Sequence, residues 1–405
     1  MDSRTTIRFA WAASLFSLFI LAACGGGGGG GGGGSSTTPT TATGVFKDNN
    51  VSGLAFTSGE QSGTTGSDGS FTFEVGQPVS FNLGNVTLGS ATGMSVITPI
   101  DLVPGGSSSS TEVLNLVRFL LMLDDDGDSS NGINISSAVQ AAAENWSSVD
   151  FSTANLPSEL VSIISDAASV DGTSHTLPDA TTAQSHLEST LRCIRAGAYS
   201  GTFGGDDSGP FGVLVDASNG LLSGFAYSAF DGLLVLTGST SVSYDQSATF
   251  ISGDVSSGAT FSGQFNTADT LSGSWDLSAT SESGTFSGSR IGGAADATYR
   301  FTGSFSSNPG SPDTSYGLFT FDLDSNDNLT GIAHTVYASD GTENETVSFT
   351  GSLTGSSLVA EIRDGSQVDA TITGTLNKAT GTVSGSWSDM DGNSGTHSGR
   401  GCRLN

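Results

Sequence analysis

Leu271-Ser272-Gly273-Ser274-Trp275, followed by Ser283-Gly284-Thr285-Phe286-Ser287-Gly288, returns 111 to 112 residues later as Val383-Ser384-Gly385-Ser386-Trp387 and Ser394-Gly395-Thr396-His397-Ser398-Gly399. Each unit places an apolar residue, Ser or Thr, Gly, a variable residue and an apolar residue in order. Tyr199-Ser200-Gly201-Thr202-Phe203, Phe261-Ser262-Gly263-Gln264-Phe265, Phe301-Thr302-Gly303-Ser304-Phe305, Phe349-Thr350-Gly351-Ser352-Leu353 and Ile372-Thr373-Gly374-Thr375-Leu376 repeat it. With the two-residue period of a strand, the apolar residues and the glycine share one face and the hydroxyls the other. A glycine in the middle of the inward face relieves crowding and permits the coiling that a small closed sheet requires. About eight strand candidates fall in 198–292 and about eight in 297–405, which predicts two tandem antiparallel, up-and-down, eight-stranded β-modules.

The order of these strands resembles that of avidin-type and lipocalin-type barrels and of the barrels of surface lipoproteins such as transferrin-binding proteins. An outer-membrane barrel is disfavoured, because the second face is rich in Ser and Thr and lacks aromatic girdles. Trp275 and Trp387 are the candidate ligand-binding residues, facing a barrel interior as cavity lining or as core plugs.

Upstream, the period changes. Thr111 to Leu123, Ser136 to Trp146, Ser158 to Val170 and Asp179 to Ala196 read as helices, with Pro157 and Pro178 at helix starts. They make 106–197 a helical connector domain. Residues 45–105 alternate apolar and polar through Val51–Phe56, Ser70–Val75 and Val79–Leu83, with Gly66-Ser67-Asp68-Gly69 as a turn, and predict a small β-sandwich. The run Gly63 to Phe71 resembles the turn-and-strand signature of carboxypeptidase-regulatory-like sandwiches, which implies a spacer or presentation unit. The fold class is therefore mainly β with a small helical insert.

At the start, Arg4 and Arg8 precede an apolar run from Phe9 to Ala22, closed by Leu21-Ala22-Ala23-Cys24 and a glycine tract. The run is short for a membrane span and reads as a cleaved signal over 1–23. The residues before Cys24 resemble the lipobox of bacterial lipoproteins, which implies acylation (palmitate) of Cys24 and a stable lipid anchor in the membrane. Residues 24–44 form a Gly/Ser/Thr tether spanning roughly 25 Å. Gly25 in place of the Asp that retains enterobacterial lipoproteins at the inner membrane implies export to the outer membrane. Export also favours disulfides, and with Cys24 acylated the remaining cysteines, Cys193 and Cys402, are expected to pair.

Forty acidic residues against twelve basic ones give a net charge of −28, which opposes nucleic acid and acidic lipid surfaces as partners. Asp124, Asp126 and Asp128, with Asn131, have an alternating spacing that could direct oxygens at a Ca²⁺ ion. Ser129 stands where an EF-hand has glycine and Ile135 where it has its bidentate acid, so a solvated loop is the competing reading. His175, His186, His334 and His397 show no metal-like spacing, and no nucleophile elbow or phosphate loop occurs. The leading expectation is a non-enzymatic envelope lipoprotein presenting β-modules to an unknown protein or glycan, for binding or adhesion. The alternative is a carrier or uptake accessory for a small apolar ligand held in a barrel, and the third reading a hydrolase. An apolar void of several hundred cubic ångströms separates carrier from solid module.

Overall fold

The structure, a computed structural model, describes residues 39–154, 156–240, 250–266, 270–292, 297–339 and 344–404. The signal, Cys24 and most of the expected tether lie outside the described residues.

Both repeats close into antiparallel eight-stranded barrels. Barrel 1 consists of Gly197–Gly205, Gly209–Val215, Leu221–Ser228, Gly232–Thr240, Phe250–Val255, Thr260–Phe265, Thr270–Leu277 and Glu282–Arg290. Its first strand closes on its last from Tyr199 opposite Arg290 to Gly205 opposite Gly284. Barrel 2 consists of Tyr299–Ser307, Ser315–Leu323, Asn328–Ala338, Glu345–Thr354, Ser357–Asp364, Gln367–Asn377, Thr382–Asp389 and Ser394–Arg403, and closes between Tyr299–Ser307 and Ser394–Arg403. Asp389 to Asn393 and Asp324 to Asn328 form tight hairpin turns, held by Asp389 and Asp324 accepting from the backbone of Asn393 and Asn328.

The glycines of the repeat make room for rings as well as for curvature. A Cβ on Gly263 or Gly273 would stand 2.8 or 2.5 Å from the ring of Phe286, which lies across this glycine pair. The apolar ring therefore occupies space that side chains on the neighbouring strands would otherwise fill.

The barrels pack side by side. Phe225 meets Tyr316 at 5.4 Å and Tyr227 meets Tyr337 at 5.2 Å between ring centres. Gly212 faces Leu318 and Val336, both fully buried. This explains why Leu318 and Phe319, on opposite faces of one strand, are both inaccessible: one meets barrel 1 and the other the interior of barrel 2.

In the N-terminal body, one sheet has the order Ser70–Glu74, Thr41–Phe46, Val96–Ile97 and another Gln61–Thr64, Ala55–Ser58, Pro78–Leu83, Val86–Thr92. The first strand takes in Thr41 to Gly44, expected as tether, because Gly44 fits closely against the ring of Phe71. Helices follow: α1 (Thr111–Met122), α2 (Ser137–Ala143), α3 (Leu156–Asp171) and α4 (Ala180–Arg195). Asp179 caps α4 by accepting from the Thr182 amide at 2.7 Å, and Ala183, Leu187 and Leu191 give it one buried face. The expected division between sandwich and helical connector is not a division of the core. Phe46, Phe81, Leu116, Phe119, Val139, Leu160 and Leu187 belong to one apolar cluster, and Val51–Ser52 pairs in parallel with Ile133–Asn134. Neither the short sheets nor the helices could bury their apolar faces alone.

Candidate ligand cavity

The apolar stripe of the barrel 1 strands surrounds a cavity of 340 Å³. Phe203, Phe211, Leu236, Phe261, Trp275 and Phe286 form its walls. Strand polarity fixes its two ends. At the floor, Tyr199 and Phe265 are fully buried with ring centres 5.4 Å apart. Arg290 lies over the Tyr199 ring and Arg195 over the Phe265 ring, each at 5.2 Å. Arg290 also donates to the carbonyls of Ala196 and, at 2.6 Å, Ile194, so the end of α4 is fastened to this side.

The opposite end is the mouth, ringed by the hairpins that follow Gly205, Ser228, Val255 and Leu277. Phe230, 79% exposed, lines it together with Asp207, Asp231 and Glu282. Trp275 stands just below this rim, edge-on to Phe203 at 6.2 Å, and its Nε1 donates to the Gly204 carbonyl at 3.2 Å. The indole is thereby anchored as wall rather than plug.

Barrel 2 repeats the design at smaller scale, with a cavity of 230 Å³ lined by Phe305, Phe319, Phe349, Trp387 and His397. His397 occupies the repeat position of Phe286. Its Nε2–H donates to the Thr373 carbonyl at 3.0 Å, and burial depresses its pKa against the pull of that bond. The Trp387 indole N–H, unlike that of Trp275, is buried without a hydrogen-bond partner. A larger concavity of 540 Å³ beside Trp146 and Asp166 is shallow, and half of its lining residues are serines.

The remaining candidates are placed as follows. Cys193 in α4 and Cys402 in the last strand of barrel 2 form a disulfide with Cα atoms 6.0 Å apart. In the acidic loop, carboxylate oxygens of Asp124, Asp125 and Asp126 come within 4.8 Å of one another. Asp128 is not one of these three carboxylates. Asp128 accepts from Ser130, and the Asn131 amide donates to Asp126 at 2.8 Å, so both serve the loop's own turns. Asp124 is 3% exposed, and burial, with repulsion from Asp126 and Asp125, pushes its pKa up to about 6 against the pull of the Asn134 amide.

The four histidines are dispersed. His175 contacts the Met122 carbonyl and Asp171, His334 contacts Thr346, and burial lowers the His334 pKa. His186 faces the fully buried Asp48 at 3.3 Å, an ion pair that spacing alone did not reveal. The rim residues Asp207, Phe230, Asp231 and Glu282 also escaped motif reading, because they are divided among three hairpins far apart in sequence. A signal for them exists: between Arg195 and Arg290 every charged residue is Asp or Glu.

No protein-family model and no curated protein matches the chain. Similar solved structures include transferrin binding protein B from Haemophilus parasuis Hp5, at 9% identity over 51% of this chain and 76% of that chain, TM-score 0.19. A surface lipoprotein aligns at 13% identity over 33% and 76% of the two chains, TM-score 0.19. A protein of unknown function from Nostoc punctiforme aligns at 8% identity over 53% and 98%, TM-score 0.18.

Proposed function

We propose that the protein is an exported envelope binding protein, lipid-anchored to the outer membrane through Cys24, that holds a small apolar ligand in barrel 1. The observation that carries this reading is the 340 Å³ cavity inside barrel 1, whose apolar lining runs up to Asp207, Phe230, Asp231 and Glu282 at the rim. Its volume falls within the range of small-molecule sites, while the 230 Å³ of barrel 2 falls below it. Adhesion through the outer faces of the barrels makes no use of such a cavity. The function is retention rather than reaction: apolar walls supply affinity of about 0.8 kcal/mol per buried methylene. The lipobox and the glycine tract support the anchor, and no helix among the described residues is long and apolar enough to cross a membrane.

Titration with a neutral, polarity-sensitive fluorophore tests the cavity. Wild type should bind it saturably at one site, and Ala226→Phe, which fills the cavity from its wall, should weaken binding at least roughly 10-fold. Equal binding by both proteins would contradict the assignment.

A further inference from the structure

The cavity has walls of one chemistry and a rim of another, and together they narrow the ligand. Resting on the assignment of barrel 1 as the ligand site, we propose that its occupant is an amphipathic cation: an apolar body topped by an ammonium or comparable positive group.

Three observations converge on this class. First, the cavity lining reaches the rim at the hairpins that follow Gly205, Ser228 and Leu277, so a ligand inserted there apolar end first leaves its other end among Asp207, Asp231 and Glu282. These carboxylates come from three separate hairpins, and the enclosing strands carry no lysine, arginine or histidine from Ala196 to Ser289. An anionic head group would meet uncompensated repulsion there, and a neutral one would gain little. Second, aromatic rings stand directly below the acids. Trp275 and Phe203 line the cavity at the level where an ammonium group would rest, and an indole is the most favourable ring for a cation contact. Third, Phe230 lies at the mouth with 79% of its surface exposed, an apolar side chain placed to cover the neck of an inserted ligand. The basic groups of the region are confined to the other end, where Arg195 and Arg290 stack on the floor rings and bond the end of α4. The arginines Arg195 and Arg290 thus stand at one end of the barrel and Asp207, Asp231 and Glu282 at the other.

The cavity has the volume of about eleven water-sized groups at roughly 30 Å³ each, which suits a ten-carbon probe. Calorimetric titration of the mature protein with decyltrimethylammonium, 1-decanol and decanoate, below their micelle concentrations, tests the proposal. The expected order is cation, alcohol, carboxylate, with the cation roughly 5- to 30-fold tighter than the alcohol at low salt and the ratio shrinking as salt is added. In the Asp207→Asn, Asp231→Asn, Glu282→Gln variant, the ratio of cation to alcohol affinity should fall towards one. Equal binding of cation and alcohol by wild type would overturn the cation while leaving the apolar cavity standing. Undiminished cation binding by Ala226→Phe would place the probe on the acidic outer surface and overturn the proposal. Failure of all three probes to bind would overturn the cavity assignment itself.

Discussion

Trp275 lies directly across from Gly284 on the neighbouring strand, and its Nε1 sits 2.5 Å from where a Cβ on that glycine would stand. The same relationship joins Trp387 to Gly395 in barrel 2. The repeat thus encodes a ring and the space for it on adjacent strands, which holds a large indole flat against the wall and leaves the interior open.

This pairing makes Gly284→Ala costly. The added methyl would press on the Trp275 indole and on the Gly204 carbonyl, so stability should fall by about 1–3 kcal/mol. Gly204→Ala, whose methyl would meet nothing within 4 Å, should be neutral or slightly stabilising. Urea unfolding of the two variants provides the comparison.

The Cys193–Cys402 bridge closes a loop across 209 residues of sequence separation. Chain entropy alone sets an upper bound of about 5 kcal/mol on its stabilisation. Arg290 bonding to the end of α4 and Lys47 donating to the Leu404 carbonyl at 2.5 Å fasten the same region without it. Cys193→Ser with Cys402→Ser should therefore lower the melting temperature yet leave both barrels folded, as checked by calorimetry and near-ultraviolet circular dichroism.

His186 supplies a pH dependence. Burial opposes its protonation, but the adjacent Asp48 carboxylate outweighs burial and holds its pKa up at about 8. Because the folded value exceeds the unfolded value of about 6.5, the stabilisation is complete below about pH 6.5 and is lost as the pH rises through about 8. The loss amounts to about 2 kcal/mol. Asp124, raised to about 6, acts in the same direction between about pH 4 and 6. Lys47, pushed down to about 8 by burial, opposes the trend above that pH. His186→Gln should flatten the decline between about pH 6.5 and 8 in denaturant midpoints, and an unchanged slope would contradict the ion pair.

Across the barrel interface, Gly212 leaves room for Leu318 and Val336. A Cβ there would stand 2.7 Å from Leu318, so Gly212→Leu should drive the barrels apart. Small-angle scattering should report a larger radius of gyration, while Leu318→Ala should cost about 2–5 kcal/mol through the cavity it leaves.

Much of this architecture was legible in local pattern. The apolar-hydroxyl-glycine repeat marked the barrel strands, Asp179 marked the start of α4, and Cys193 and Cys402 could be paired once Cys24 was assigned to the anchor. What escaped depends on closure in three dimensions. The common core of sheets and helices requires Val51 to find Ile133, and the rim requires Asp207, Asp231 and Glu282 to converge from separate hairpins. The interior openness was also hidden, because Trp275 has the same local sequence whether it fills a barrel or lines one. In the acidic loop, the spacing suggested Asp124, Asp126, Asp128 and Asn131 as ligands, but it did not reveal that Asp128 accepts from Ser130 or that Asn131 donates to Asp126.

Entry of an apolar ligand into barrel 1 can be followed by nuclear magnetic resonance of the tryptophan indole N–H groups during titration with 1-decanol. Trp275 lines the cavity, whereas Trp146 packs in the N-terminal core with its Nε1 donating to Asp166 at 2.6 Å. Binding in the cavity should give a saturable shift of the Trp275 resonance with Trp146 unmoved. A Trp275 resonance that stays fixed up to the solubility limit of the alcohol would contradict it.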